Sequence, residues 1–294
     1  MKMIKNIHIN HPDHDKLILA DLFYKETNEK KPIIIFCHGF KGFKDWGHWD
    51  IIAKYFASQG YAFLKFNFSH NGTTVKNPSS FGDLEAFGQN NYSKELSDLD
   101  VVINFLLQPD SKHSNQTDTE KIAVIGHSKG GAVALVKAYE DNRIKATVAW
   151  APIYDIESRW PKPIREDWKR LGVKYIENTR TGQQMPLDYQ MVQDYLDNQD
   201  RLDVPKAIRF ITSPLLIIHG DEDEAITYEE GMMASLWNQE MKFETIDGAG
   251  HTFGGMHPMT DSGLPPHSKT LVTKTDQFLK QVFSESSSEA KSLI

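Results

Sequence analysis

Short apolar segments alternate with amphipathic ones along most of this chain. The segment 33–37 is continuous, apolar and rich in β-branched residues, which is typical of a strand buried on both faces. The segment 92–107 places Leu96, Leu99 and Ile103 three or four positions apart, the spacing of a helix with one apolar face. Because such strands and helices follow one another repeatedly, the pattern predicts an α/β fold with a mostly parallel sheet.

The same patterns predict the remaining elements. An antiparallel hairpin is expected over 4–10 and 16–24. Further strands are expected over 61–68, 121–125, 146–150, 214–218 and 241–246, and further helices over 46–58, 130–138 and 268–283. The segment 284–294 is rich in serine and glutamate, so we expect a disordered tail.

Composition is that of an ordinary globular protein and narrows the classes of partner. The 294 residues are 39% hydrophobic and 25% charged, enough for one large domain with an insertion. A net charge of −7 without a basic helix argues against nucleic acid or an anionic membrane as partner. Residues 1–7 lack the apolar run of a signal peptide and no stretch reaches transmembrane length, so we expect a cytoplasmic protein.

Neither a disulfide nor a metal or cofactor site is expected. Cys37 is the only cysteine and lies in a predicted buried strand, where a small apolar thiol packs. The motifs H-E-x-x-H and C-x-x-C do not occur. His8, His11 and His14 are spaced in threes, but on a predicted hairpin this spacing should not bring them together.

The segment Gly126-His127-Ser128-Lys129-Gly130 predicts a nucleophilic serine. It lies between a predicted strand and a predicted helix, which is the setting that the G-x-S-x-G motif requires. Glycines two residues before and after the serine allow a turn too sharp for side chains. The alternative is an ordinary glycine-rich strand–helix turn. We expect His127 to point back toward the sheet and pack.

A base and an acid are available in later loops. His251 follows a predicted strand in the glycine-rich loop Gly248-Ala249-Gly250, which can turn back toward the serine. Four carboxylates occupy positions 221–224 after another predicted strand, and their spacing alone does not select one.

These segments together resemble the α/β-hydrolase superfamily. The resemblance rests on four motifs: His38-Gly39-Phe40, the Ser128 segment, His219-Gly220-x-x-Asp223-x-x-Ile226, and Gly248-Ala249-Gly250-His251. It implies that Ser128, Asp223 and His251 form the catalytic triad in that order along the chain. It also implies an oxyanion hole made by the backbone N–H groups of Phe40 and Lys129. Asp221 would then cap or brace its turn.

The resemblance also gives residues 153–209 a role. This polar and aromatic segment interrupts the alternation, without a strong strand signal. In α/β-hydrolases an insertion here covers the active site, so we expect a small, mainly helical lid. Residues 1–152 and 210–283 would form the hydrolase core. The alternative is a surface excursion unrelated to catalysis.

Within the superfamily, the chain most resembles bacterial serine carboxylesterases of the cinnamoyl/feruloyl esterase and dienelactone-hydrolase-like group. Lys129 stands where a neutral residue is common, and would favour anionic or polar acyl groups or form a surface ion pair. Dienelactone hydrolases proper use cysteine as the nucleophile, unlike Ser128. Prolyl oligopeptidases share the motifs but carry a large propeller for which this chain is too short.

We therefore expect a cofactor-independent serine hydrolase acting on small acyl or aryl esters. The triad by itself does not distinguish an esterase from a thioesterase or a hydrolase of small peptides and amides. A binding protein without catalysis on the same fold is an alternative of another class, because fold does not fix function. The sequence carries no signal for the oligomeric state.

Overall fold

The computed structural model describes residues 1–108 and 113–292, with side chains up to residue 285. The strands are β1 (Lys2–Ile9), β2 (Ile18–Tyr24), β3 (Lys31–Cys37), β4 (Ala62–Asn67), β5 (Thr117–His127), β6 (Ile144–Trp150), β7 (Val173–Asn178), β8 (Gln183–Asp188), β9 (Leu215–Gly220) and β10 (Lys242–Ile246). The helices are α1 (Trp49–Ser58), α2 (Leu84–Gly88), α3 (Tyr92–Leu107), α4 (Lys129–Glu140), α5 (Lys162–Leu171), α6 (Gln190–Asp197), α7 (Val204–Phe210), α8 (Tyr228–Ser235) and α9 (Pro266–Ser292).

Eight strands form one sheet in the order β1-β2-β4-β3-β5-β6-β9-β10. Strand β1 pairs antiparallel with β2, as the predicted hairpin requires. Strand β2 also pairs antiparallel with β4. From β4 onward in this order, neighbouring strands of the sheet run parallel to one another, as β4-β3-β5-β6-β9-β10. Because parallel strands end at the same edge, the loops after β3, β5, β9 and β10 meet there.

Helices cover both faces of the sheet because alternate side chains of each strand point to opposite sides. Ile33 and Ile35 of β3 pack with buried residues of α3, α4 and α7. Ile34 and Phe36 pack on the other face, with α1 and α9. Cys37 is fully buried in the first of these cores, as its place in a predicted strand indicated.

The segment 153–209 contains strands that the sequence analysis missed. Besides helices, which hold more of its residues, it holds an antiparallel hairpin of β7 and β8, for which the sequence carries no strong signal. Pro186 lies within β8 and weakens the strand signal, yet a hairpin made only of edge strands tolerates the missing N–H. Tyr175 is more than half exposed, so burial alternates only weakly along β7.

The end of this segment differs from the predicted boundary at 209/210. That boundary falls inside α7, whose Val204, Ala207 and Ile208 are buried in the core that α7 shares with α4. Helix α7 thus belongs to the sheet-covering layer. Earlier parts of the segment have a separate apolar cluster, made by Trp168, Met185, Leu187, Met191 and Val192 together with Phe43, Phe81 and Phe87. The action of the segment as a lid stays a prediction.

The C-terminal helix is longer than predicted. The sequence indicates a helix to 283 and a disordered tail over 284–294, whereas α9 has helical backbone as far as Ser292. Extending an existing helix by one residue needs no new nucleus, so a polar sequence can follow a buried one. Residues 293 and 294 lie outside the described part of the chain.

Two short helices, α2 and α8, were also missed because eight or fewer residues give little periodicity. Across residues 1–108 and 113–292, every helix is too short or too polar to cross a bilayer. The cytoplasmic location stays a prediction.

Candidate active site

Ser128 occupies a strained turn between β5 and α4. Its backbone has φ +56° and ψ −121°, in the left-handed region that residues with side chains seldom adopt. A Cβ at Gly126 would lie 2.1 Å from the Gly130 carbonyl oxygen, and one at Gly130 would lie 2.4 Å from that of Cys37. Both glycines are therefore required by close backbone approach, as the motif indicated.

The His251 ring and the Asp223 carboxylate lie in direct contact. His251 Nδ1 lies 2.8 Å from Asp223 Oδ2. The other oxygen, Oδ1, accepts backbone N–H groups from Ala225 and Ile226 at 2.8 and 2.9 Å. Burial alone would raise the pKa of Asp223, but hydrogen bonds from His219 and His251 hold it well below its usual range. Asp223 is therefore a fixed anion behind the imidazole.

The neighbouring carboxylate has a different task. Asp221 is exposed, and its Oδ1 accepts the Gly248 backbone N–H at 2.6 Å. It braces the loop that carries His251, as the sequence analysis expected. Glu222 and Glu224 are also exposed.

The loop after β3 approaches the serine closely. A Cβ at Gly39 would lie 3.0 Å from the Ser128 Cβ, so only glycine gives the observed separation. The Gly42 N–H donates to the Gly39 carbonyl at 2.9 Å, and Lys41 between them has a φ of +55°. This tight turn holds Phe40 at the cavity that Ser128 lines. Lys129 supplies the first amide of α4, at the positive end of the helix dipole.

The His38 side chain holds the same loop through hydrogen bonds. Its Nδ1 donates to the Gly39 carbonyl at 2.9 Å, while Nε2 faces the Phe68 N–H and the Asn71 amide, each at 3.4 Å. Burial lowers the pKa of His38 to about 4, so the ring is neutral near pH 7. The first motif of the sequence thus has a structural role in its histidine.

His127 is placed differently from the expectation that it would pack against the sheet. It lines the cavity beside Ser128, and its Nε2 donates to the His251 backbone carbonyl at 2.9 Å. Burial, followed by the nearby His251, lowers the pKa of His127 to about 3. A neutral imidazole therefore holds the main chain of His251. The sequence position next to a serine gave no signal of this contact.

A second histidine, next to the His251–Asp223 pair, was also missed. His219 is fully buried at the end of β9, where its Nδ1 faces the Tyr154 hydroxyl at 2.9 Å. Its Nε2 lies 2.9 Å from the Ile226 carbonyl and 3.3 Å from Asp223 Oδ2. An N–H at Nε2 can donate to both oxygens, and the Tyr154 hydroxyl lies within hydrogen-bond distance of Nδ1. The sequence named His219 only as part of a motif.

The Lys129 side chain forms an ion pair, one of the two alternatives from the sequence, but a buried one. Its Nζ lies 2.8 Å from Glu95 Oε1, with both side chains 4% exposed. The ammonium also lies 4.8 Å from the centre of the Tyr92 ring. Its charge is thus compensated within the protein.

Ser128 and His251 line one cavity of about 300 Å³. Its other walls are aromatic, cationic and polar side chains and the loop backbone: Gly39, Phe40, Lys41, Gly42, Trp46, Trp49, Phe81, His127, Asn178, Thr179, Arg180, Thr252 and His257. Asn178 is the last residue of β7, and Thr179 and Arg180 lie in the turn between β7 and β8. A smaller cavity of about 200 Å³ adjoins it at Phe40 and has mainly apolar walls.

His11 and His14 come together, contrary to the expectation from their spacing. Their rings stack with centroids 3.9 Å apart, and with Asp98 they bring three possible metal ligands within 4.8 Å. However, His11 Nδ1 accepts the Asp13 backbone N–H at 3.1 Å, so the ring proton is on Nε2, the nitrogen that faces Asp98. The ring thus turns a donor toward Asp98, where a metal would need a lone pair.

Comparison with known proteins assigns this chain to a family. The model of the prolyl oligopeptidase family matches residues 48–284, more than half of the chain. The expectation that the chain is too short for this family is wrong, because the family model matches within its 294 residues. The match shows that the likeness extends from α1 to the end of the buried part of α9.

Curated relatives are more distant. The chain is 29% identical over 133 residues to a candidate esterase/lipase of Mycoplasma pneumoniae, a match that covers 45% of this chain and 42% of that protein. A related candidate esterase/lipase of Mycoplasma genitalium is 26% identical over 261 residues, covering 80% of this chain and 88% of that one.

A solved structure with the same fold is Est1E from Butyrivibrio proteoclasticus. It is 22% identical, with a TM-score of 0.68, and the likeness covers 96% of this chain and all of that one. Est1E has also been solved with ferulic acid bound. At this identity the likeness concerns the fold, and the predicted α/β-hydrolase fold is confirmed.

Proposed function

This chain belongs to the prolyl oligopeptidase family, and from that premise we propose that it is a serine hydrolase cleaving carboxylic esters. Ser128 is the nucleophile, His251 the base and Asp223 the orienting acid of this proposal. The observation that carries it is the 2.8 Å contact of His251 with Asp223 at a cavity that Ser128 also lines. Phe40 and Lys129 N–H are the proposed oxyanion donors.

The proposed reaction has two balanced steps. His251 Nε2 takes the Ser128 hydroxyl proton while Oγ bonds to the ester carbonyl carbon, and it then gives that proton to the departing alcohol as the ester C–O bond breaks. Water next attacks the acyl-serine, losing a proton to His251. The proton returns to Ser128 Oγ as the carboxylic acid leaves. Asp223 stays ionised and stabilises the imidazolium in both steps.

Ester substrates are supported by two observations. Both Mycoplasma relatives are described as esterases or lipases, and Est1E has been solved with ferulic acid. The cavity walls include the aromatic rings of Phe40, Trp46 and Trp49, which suit a planar acyl or aryl group. We therefore place small acyl and aryl esters, rather than long lipids, as the substrates of this proposal.

A hydrolase of small peptides or amides is the second candidate, because the matching family is named for oligopeptidases. The same triad would cleave either bond. A thioesterase remains a variant of the first proposal, since it differs only in the leaving group.

Labelling with a fluorophosphonate probe tests whether the serine is activated. We expect the wild type to be labelled and Ser128→Ala to remain unlabelled while folded. Ser69→Ala is a matched control, since Ser69 is a buried serine distant in sequence that bonds to Asp98, and its labelling should equal that of the wild type. A folded wild type that resists the probe would indicate a binding protein instead of an enzyme.

A substrate panel then separates the candidate reactions. The panel holds 4-nitrophenyl esters of increasing acyl length, methyl ferulate, a thioester and a dipeptide anilide. We expect acetyl and butyryl esters to be hydrolysed at least 100-fold faster than the anilide in kcat/KM, on the order of 3 kcal/mol. Cleavage of the anilide with untouched esters would replace the esterase by the peptidase candidate.

A further inference from the structure

The turn of the β7–β8 hairpin forms one wall of the catalytic cavity. Thr181 N–H and Gly182 N–H both donate to the Asn178 carbonyl, at 2.9 and 2.8 Å, which closes the turn tightly. As a result Asn178, Thr179 and Arg180 line the same cavity as Ser128. The insertion therefore contributes polar groups to the place where a substrate would bind.

Asn178, at the edge of this wall, carries a hydrogen-bond donor that makes no bond. The residue is 7% exposed, and its Nδ2 is buried without a hydrogen-bond partner among the described residues. A buried amide N–H that makes no bond costs stability, so its presence at the edge of a cavity calls for a partner there. An acceptor on a substrate would satisfy it.

The charged side chains around the cavity have one sign. Lys41 and Arg180 line it, and none of its lining residues is a carboxylate. Within the described residues neither cation has an acidic partner, in contrast to Lys129 with Glu95. Burial, followed by the charge of Arg180, lowers the pKa of His257 on the same wall. The wall of this cavity therefore carries positive charge, although the chain as a whole has a net charge of −7.

We propose that this wall is a subsite for a negatively charged group of the substrate, a carboxylate held by Arg180, Asn178 Nδ2 and Lys41. The guanidinium and the amide offer N–H donors suited to carboxylate oxygens, and the lysine adds charge. The favoured substrates are esters whose acyl or alcohol part carries a carboxylate. This inference rests on the proposed hydrolase function and names its substrate class.

Matched substrate pairs test it and show which half carries the charge. The acyl pair is 4-nitrophenyl hemiglutarate and 4-nitrophenyl pentanoate. The alcohol pair is 4-carboxyphenyl butyrate and 4-carbamoylphenyl butyrate. Each pair is measured with wild type, Arg180→Gln, Asn178→Leu and the control Arg170→Gln. Arg170 is an exposed arginine of α5 whose partner, Asp167, is equally exposed, so the control removes a charge of the insertion outside the cavity.

We expect wild type to favour the anionic member of at least one pair by roughly 10- to 100-fold in kcat/KM, as charge-assisted bonds allow. Arg180→Gln should reduce this ratio about 10-fold, chiefly through KM, and Asn178→Leu should reduce it less. Added salt should reduce it too, because Arg180 is exposed. Arg170→Gln should keep the ratio of the wild type. Equal ratios in wild type and Arg180→Gln would overturn the subsite.

A binding measurement keeps the subsite testable apart from catalysis. In Ser128→Ala, isophthalate should raise the melting temperature more than neutral isophthalamide does, and the added substitution Arg180→Gln should abolish the difference. If labelling of Ser128 succeeds but neither the ratios nor the melting temperatures depend on Arg180, only the subsite fails. If labelling fails while isophthalate still binds through Arg180, the hydrolase proposal fails and the anion site stands.

Discussion

Two histidines, His127 and His219, lie beside the proposed triad without occupying its proposed proton path. His127 holds the backbone of His251 from the cavity side, and His219 lies against Asp223 from the core side. Both act on the position of the His251–Asp223 pair, one through the main chain and one through the carboxylate. We propose that both are positioning residues, whose loss would misplace the proposed base rather than remove it.

His127→Phe tests this role at the level of one hydrogen bond. Loss of the Nε2–H donor frees the His251 carbonyl, and a misplaced base is expected to lower kcat roughly 10- to 100-fold with little change in KM. Steady-state kinetics on a 4-nitrophenyl ester measure the split. His127→Gln retains an N–H donor and should recover part of kcat. Equal kcat values in both variants and wild type would show that His127 only packs.

At the scale of elements, a largely buried network of charges ties the loop after β3 to β2 and β4. Lys44 Nζ lies 2.9 Å from Asp21, and its backbone N–H donates to the Asn67 side chain at 2.6 Å. Lys65 Nζ lies 3.0 Å from Asp21 and donates to the Lys44 carbonyl at 2.8 Å. Burial alone would raise the pKa of Asp45, but Lys65 and Lys44 hold it down at about 2.

Lys65→Met removes the central cation of this network. It leaves the buried carboxylate of Asp21 and the half-buried one of Asp45 with too little positive charge, so the free energy of unfolding should fall by about 3–5 kcal/mol. Urea denaturation measures the loss. Lys2→Met, which removes an exposed ion pair with Glu26, is the control and should cost under about 1 kcal/mol. A loss for Lys65→Met no larger than for the control would contradict the network's role.

At the scale of the whole molecule, stability depends on groups buried far from the surface. Asp98 of α3 is fully buried, and its Oδ2 accepts the Ser69 N–H and hydroxyl at 2.8 and 3.0 Å. His11, His14 and His70 surround the same place. Burial raises the pKa of Asp98 to about 7, and Ser69 opposes this shift.

Asp98→Asn should therefore change how stability depends on pH. Below about pH 4, Asp98 is neutral in the folded and the unfolded chain and its favourable contribution is fully present. As pH rises, Asp98 ionises first in the unfolded chain, so this contribution falls progressively. The fall ends once pH exceeds about 7, where Asp98 is ionised in the folded chain too. Glu95 adds to the shift and Lys94 reduces it.

Urea denaturation from pH 4 to 8 gives the measurement. Relative to Asp98→Asn, wild type should lose on the order of 4 kcal/mol at most across this range. The variant of an exposed carboxylate, Asp261→Asn, should follow wild type throughout. A difference between wild type and Asp98→Asn that stays constant with pH would show that Asp98 is ionised throughout the range.

Local sequence determined the sheet and the positions along the chain of its main chemical groups. Strand β3 was predicted from a continuous apolar segment, and helix α3 from apolar residues three or four positions apart. The Gly126–Gly130 turn was predicted because only glycine tolerates the backbone contacts found there. The resemblance to α/β-hydrolases then selected Asp223 over Asp221, a choice that the spacing of the carboxylates did not make.

Tertiary structure alone decided which distant groups face the cavity. His127 contacts a carbonyl 124 positions away, and the hairpin around Pro186 carries Asn178 and Arg180 to Ser128. Such contacts depend on how separate elements pack, which no local period encodes. The same packing brings His11 beside Asp98 and pairs Lys129 with Glu95. The chain's own residues thus defined the elements, and their three-dimensional arrangement defined the electrostatics of the site.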